Sequence, residues 1–444
     1  MRKLKSKSTS HSRVGGNPDE NHKIENDRLD PRLRGDDKQK SWNNKQRRNL
    51  FVSVFFIILA FLYFFSVIFS ISKNLFKKFD PIQAEKKYSQ SQWQQSQNVS
   101  PIKVLDEWAV KNGFTGWKNY EDEIVLKSKV ESQRSQIIKA IQDKGVSDSF
   151  LYSYVGYKYV NGANLSLLNP EHPPLAKLFI GYSIKTFGNE HILGIGLAFV
   201  MLFLVGIISF QIHGSLLLAS IALFLTAIFP LFMDQIVHGP QLELYQLFFF
   251  LLVIHMLLMG FKKKKVQFYI GAGIFYGFLL STKTLLPFLC LFSTWIVISL
   301  WKKWKELAIL FAFAALSFLL TYAAFFLQGG NFRSFLGLQK YIVVYYGNAH
   351  IPLLEFAGNY LRLIFTGSWK FWDSARSVSA YSEWNILWPI LYIGGMVRLV
   401  QIWKKNKNTH MLIYFIVLYN LFVFIVPVFP RYLLLLFVPL LILL

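Results

Sequence analysis

Ten stretches of this chain are too apolar, over too great a length, to sit on the surface of a soluble fold. They run over 50–72, 191–210, 215–233, 244–260, 266–284, 285–301, 307–327, 385–402, 410–429 and 432–444. Crossing about 30 Å of hydrocarbon takes roughly 20 apolar residues in a helix. Inside lipid each backbone N–H and C=O must find a partner within the protein, which an α-helix supplies and an open sheet does not. The expected fold class is therefore all-α, a polytopic transmembrane bundle of about ten spans. Composition agrees, since only 16% of the residues are charged, where soluble domains carry about 25%.

The formal net charge is +23, but the basic residues are clumped. Arg47-Arg48, Lys262–Lys265, Lys302-Lys303-Lys305 and Lys404-Lys405-Lys407 stand between apolar runs. Short clusters of this kind orient polytopic proteins by staying in the cytoplasm, and they are not the continuous basic face a nucleic acid needs. No nucleic-acid partner is expected. With Arg47-Arg48 inside, an even number of crossings separates each later cluster from the first, so all four fall on the cytoplasmic side. Lys73, Lys77 and Lys78, at the outer end of the first run, go against the trend. The expected location is the cytoplasmic (inner) membrane, multi-pass, with a cytoplasmic N-terminus. The outer face then receives 73–190, a loop around 234–243, the loop 328–384 and the turn at Pro430-Arg431.

Residues 1–48 are polar and lack apolar periodicity, which predicts a disordered basic cytoplasmic tail. Parts of it, Ser12–Pro18 and Asp30–Lys38, resemble translated bacterial repeat-element sequence. Residues 49–444 form one transmembrane domain, in which 73–190 is a large first outer loop. An amphipathic stretch at 130–144, beside a Gln/Ser-rich one at 89–98, suggests interfacial helices there. The last run reaches Leu444 without a polar flank, as expected of a chain that stops in the membrane or is cut short. The single cysteine, Cys290, excludes an internal disulfide and reads as a small packing residue.

Ionisable residues near a bilayer are costly unless they function or snorkel. The segment Asn169-Pro170-Glu171-His172-Pro173-Pro174-Leu175-Ala176-Lys177 cannot be a helix interior, because its prolines lack the N–H a ladder needs. It reads as a rigid corner at a membrane surface, with Glu171 and His172 facing water or merely capping, and Lys177 binding an anion or snorkelling. Asp148, after Ser147, is either functional or a helix cap. Asp234, His238 and Glu243 share one outer loop and span boundary, where punctuation is the plain alternative. Lys283 ends a span and Arg431 separates two, so each is a phosphate ligand or an anchor. The 328–384 loop mixes aromatics such as Trp369 and Trp372 with charges such as Lys340, His350 and Asp373, which suits a lid or an interfacial belt. Without a CxxC or HExxH spacing, no cofactor is expected, and a divalent cation is left open. Gly271, Gly273 and Gly277 lie within a span and read as helix packing, not as a nucleotide loop.

The Asn169–Lys177 string resembles the signature of glycosyltransferase family 39, the protein O-mannosyltransferases and the bacterial lipid A aminoarabinose transferases. Asp148 and the glycine-then-Ser/Thr-Lys pattern ending at Lys283 extend the resemblance over roughly 148–290. The resemblance implies a type-C glycosyltransferase fold. It also implies a membrane lipid donor, a polyprenyl-phosphate-linked sugar, and an envelope acceptor (lipid, glycan or protein) on the outer face. Transfer would be inverting, with Asp148 as base and Glu243 or Asp234 assisting. Glu171 and His172 would organise acceptor or donor, while Lys283, Arg431, His238 and Lys177 would hold the phosphate. Ser149 stands where those families carry a second acid. A transporter or lipid flippase is the main alternative, and would use a midplane site between related halves; no internal repeat is visible. A non-enzymatic scaffold would leave the acid-His-Pro-Pro corner without a use.

Overall fold

The computed structural model describes residues 31–89, 147–283, 286–347, 353–371, 377–403 and 409–444. The expected helix at 130–144, nearly all of the Gln/Ser-rich stretch, the basic cluster at 404–407, and His350, Trp372, Asp373 and Arg376 lie outside the described residues. Met1–Asn49 and Leu50–Leu444 are two separate units. Helix α1 (Pro31–Ser70) begins within the stretch expected to be a disordered tail. Pro31 suits a first helical turn, and extending a helix avoids the costly nucleation step.

The chain continues through α2 (Ser72–Leu75), α3 (Pro81–Ser89), α4 (Asp148–Val160), α5 (Leu175–Phe187), α6 (Ile192–His213), α7 (Leu216–Ile228), α8 (Pro230–Val237) and α9 (Leu242–Lys263). Next come α10 (Val266–Leu280), α11 (Leu286–Ser299), α12 (Trp304–Leu320), α13 (Ala323–Leu327), α14 (Phe332–Gly347) and α15 (Asn359–Thr366). A small antiparallel hairpin, β1 (Ser368–Lys370) with β2 (Val378–Ala380), pairs Trp369 with Ser379. The last helices are α16 (Leu387–Trp403), α17 (His410–Ile425) and α18 (Leu434–Leu443), the last entered through a 3₁₀ turn, Pro430–Leu433.

Every apolar run is helical, and the protein is an integral membrane protein of polytopic helical type. Among the described residues three helices are long and apolar enough to cross a membrane, Gln46–Ser70, Ile192–His213 and Leu242–Lys263. A fourth crossing is available if α7 and α8 count as one span, bent by 52°. The bend has a cause: Pro230 has no N–H to donate, and Phe229 before it is extended at φ −70, ψ 117. The remaining runs give shorter helices, and the 307–327 run breaks between α12 and α13. All of α18 is buried, with Phe437 against Phe229 and Trp388. The terminal apolar run is thus enclosed by protein and not by lipid.

Small residues bring three helix ends together. A Cβ on Gly156 of α4 would overlap the backbone of Lys177 and Gly181 in α5, and one on Gly181 would overlap Gly156. In the same way Gly273 and Gly277 of α10 lie against the carbonyls of Leu310 and Ala314 in α12, while Gly271 faces Met256. The start of α5 is then tied to the end of α10, where Leu175 N–H donates to Ser281 O at 3.0 Å. Thr321 Oγ1 donates to Ser281 Oγ at 2.9 Å and adds α12 to the junction. Gly156→Ala should therefore push α4 off α5 and lower stability by about 1–3 kcal/mol. Thermal unfolding of the detergent-solubilised protein reads this, and an unchanged midpoint would contradict the close crossing.

Candidate functional site

Three of the four charged residues of the site stand at helix ends whose dipoles favour their charge, and the fourth, Arg431, does not. Asp148 and Glu243 lie in the first turns of α4 and α9, where the positive end of the macrodipole stabilises an anion. Lys283 follows the C-terminal end of α10, where a cation is favoured. Arg431 occupies the 3₁₀ turn that leads into α18. Ser147 provides the α4 cap, accepting from Phe150 N–H at 3.4 Å. Asp148 is thus not consumed as the cap.

These four side chains form one chain of ion pairs. Lys283 Nζ lies 2.6 Å from Glu243 Oε1. The same oxygen is 2.8 Å from Arg431 Nε, and Arg431 Nη2 is 2.8 Å from Asp148 Oδ2. Burial falls off along the chain. The Glu243 and Lys283 side chains are 3% and 4% exposed, Arg431 20% and Asp148 43%. The inner pair is dry and the outer carboxylate reaches water. Arg431 Nη1 also faces Gln241 Oε1 at 3.5 Å, and its guanidinium lies over the Phe429 ring. Lys283 lies 4.5 Å from the Tyr432 ring centre, and Gln246 holds its backbone carbonyl at 3.0 Å. Two anions balance two cations, which a buried cluster requires to avoid uncompensated charge.

The Pro-Pro corner is built differently from its expected surface reading. Lys177 does not snorkel; it is fully buried. Its ammonium donates to the carbonyls of Asn169 at 2.6 Å and His172 at 2.8 Å, and to Asn169 Oδ1 at 3.1 Å. It therefore clamps the chain that turns back over it. Asn169 takes a left-handed conformation, φ 46, and its amide donates to the buried Glu171 carboxylate. Burial pushes the Glu171 carboxyl up, and the nearby Lys177 partly opposes this. Burial lowers the Lys177 ammonium, and Glu171 partly restores it. Half-buried His172 meets Tyr152 edge-on at 5.9 Å. Burial first, then the cations Lys283, Lys177 and Arg431, holds its imidazole well below the usual range. The corner thus sits within electrostatic reach of the ion-pair chain.

Asp234 and His238 form a separate pair, with Nδ1 2.5 Å from Oδ1. Gln235 also donates to Asp234 at 2.9 Å, and His238 stays 62% exposed. Burial, then Asp234, pushes the Tyr381 hydroxyl up. The link to the first cluster runs through the backbone. Gly239, at φ 121, passes so close to the Ser149 side chain that a Cβ there would meet Ser149 Cβ at 2.7 Å. Gln241, Tyr152 and Tyr432 were missed in the sequence, and Asn169 was read only as part of the corner. Tyr152 stands four residues after Asp148, one helical turn on, and Tyr432 adjoins Arg431; these two adjacencies were the available signals.

Two measurements check this geometry. Lys177→Met would leave the buried carbonyls of Asn169 and His172 unpaired, at about 1–3 kcal/mol each; a variant as stable as the parent would contradict the clamp. His172 is held neutral when folded and titrates near its ordinary value when unfolded. Just below that value the unfolded state binds more protons, so stability must fall as pH drops through about 6.5. His172→Gln should flatten the dependence of the unfolding midpoint in that window; an unaltered slope would contradict it.

No protein-family profile matches the chain, and no curated protein matches it. Among solved structures it is similar to the crystal structure of ArnT from Cupriavidus metallidurans bound to undecaprenyl phosphate, at 17% identity and a TM-score of 0.39. The match covers 66% of this chain and 53% of that one, so the chain spans about half the length of ArnT.

Proposed function

We propose that the protein is a membrane glycosyltransferase that moves a sugar from a polyprenyl-phosphate donor to an envelope acceptor on the outer face of the cytoplasmic membrane. The observation that carries this reading is the Lys283–Glu243–Arg431–Asp148 chain. It joins two phosphate-binding cations to a carboxylate that is open to water. The resemblance of Asn169–Lys177 to family 39 supplies the donor class.

In this reading the acceptor hydroxyl attacks the anomeric carbon while Asp148 takes its proton. The new C–O bond forms as the bond from that carbon to the phosphate oxygen breaks. The electron pair leaves with polyprenyl phosphate, whose charge Arg431 and Lys283 stabilise. Arg431 presents a planar fork suited to phosphate, and Lys283 a point charge. Glu243 keeps the two cations together at a spacing they would not hold alone. Lys177 enters through the corner it clamps and does not bind the phosphate. The family-specific acceptor, lipid, glycan or protein, is the part of the reading a transfer assay with each class resolves.

Membranes from a strain expressing the protein should transfer label from a lipid-linked sugar. Asp148→Asn should cut this at least about 100-fold, the lower range for losing a general base, with an unchanged unfolding midpoint. Full activity in that variant would remove Asp148 from the chemistry.

A further inference from the structure

The Arg431 guanidinium is committed to two carboxylates of very different standing. Glu243 is buried at the inner end, shares its Oε1 with Lys283, and lies in the first turn of α9. Asp148 is 43% exposed at the outer end and has Arg431 as its ion-pair partner. Breaking the inner pair would strand charge in a dry interior, whereas an exposed pair is worth little. An anion arriving at Arg431 from the aqueous side therefore displaces Asp148 and leaves Glu243 in place. The fork geometry adds to this. Nε lies 2.8 Å from Glu243 Oε1 as an ion-pair contact without a hydrogen bond, while Nη2 donates to Asp148 at 2.8 Å and Nη1 to Gln241 only at 3.5 Å. The two Nη groups are the edge a phosphate would grip with paired hydrogen bonds.

We propose that Asp148 and the donor's phosphate compete for the same edge of Arg431, so that donor binding is what releases the Asp148 carboxylate toward the acceptor. The proposal rests on the reading of the site as a lipid-phosphate glycosyltransferase, and adds an order of events to it. Before the donor arrives, Asp148 is held by Arg431 and is poorly placed to accept a proton from a hydroxyl. Once phosphate takes Nη1 and Nη2, like-charge repulsion turns the carboxylate away from the phosphate. The release is local, because Ser147 caps α4 independently of Asp148. The Gly239 backbone, packed on Ser149, holds the first turn of α4 in place while the Asp148 side chain rotates. Such competition makes the site bind donor before it can activate acceptor.

The test measures phosphate affinity in lipid nanodiscs, with farnesyl phosphate as the lipid probe and inorganic phosphate as the headgroup alone. Asp148→Asn keeps the side chain's size and removes the competing charge. It should bind farnesyl phosphate about three- to tenfold more tightly than the parent, the scale of an exposed ion pair plus relief of repulsion, while Arg431→Gln abolishes the gain. A tightening seen equally with inorganic phosphate assigns the edge to the phosphate group; one confined to farnesyl phosphate adds a contribution from the tail, and either supports the competition. Asp148→Ala repeats the comparison without an amide that could hydrogen-bond. Parent and variants that bind farnesyl phosphate with equal affinity, or variants that bind more weakly, would overturn the competition and leave the functional reading standing. Failure of every form, the parent included, to bind either probe would overturn both.

Discussion

One buried carboxylate oxygen organises the centre of this protein. Glu243 Oε1 accepts from Lys283 and lies 2.8 Å from Arg431 Nε as an ion pair, in an interior that shields charge poorly. Removing Glu243 would leave two cations facing each other without water, so the helices that carry them can meet only around this anion. The site is in that sense a consequence of electroneutrality. The apolar bundle makes a dry centre affordable for a matched set of charges and for nothing else.

The bundle delivers those charges by close contact between the helices whose ends and connections carry them. The Gly156–Gly181 crossing seats α4 on α5, and the Leu175–Ser281 hydrogen bond fixes α5 to the end of α10. Lys177 then folds the Asn169–Pro174 corner down over the same junction. A lysine in that role is unusual in cost, since desolvating an ammonium is expensive. Three oxygen acceptors and the neighbouring Glu171 offset it. The rigidity of the prolines and the clamp beneath them keeps His172 against Tyr152, facing the cations.

The spans were legible because apolar length is a one-dimensional property, and among the described residues the runs are helical, two of them as broken pairs of helices. Their breaks were only half legible. Pro230 signals one, yet the 215–233 run reads as continuous because proline is itself apolar enough to pass unnoticed in lipid. The start of α1 at Pro31 was not legible, because polar composition says little about whether a helix already begun will be extended. Lys177 was misread for a physical reason as well. Three residues after Pro174 a lysine at the head of an apolar helix looks like a snorkelling one, and only the chain's return over it supplies the acceptors. Residues 148 and 431, which meet as an ion pair, lie 283 positions apart. No local pattern encodes such a pairing; the resemblance pointed to Asp148, a position between two apolar runs pointed to Arg431, and only the packing joins them.

The measurement that tests the account most directly is the proximity of those two positions. In a protein whose single cysteine, Cys290, is replaced by serine, Asp148→Cys and Arg431→Cys introduced together should be bridged within one chain by a short bifunctional thiol reagent. The bridge should form in intact membranes and be absent from either single variant. Two cysteines that each react with a monofunctional reagent yet never bridge would place α4 and the Pro430–Leu433 turn apart, and would contradict the joined charge chain.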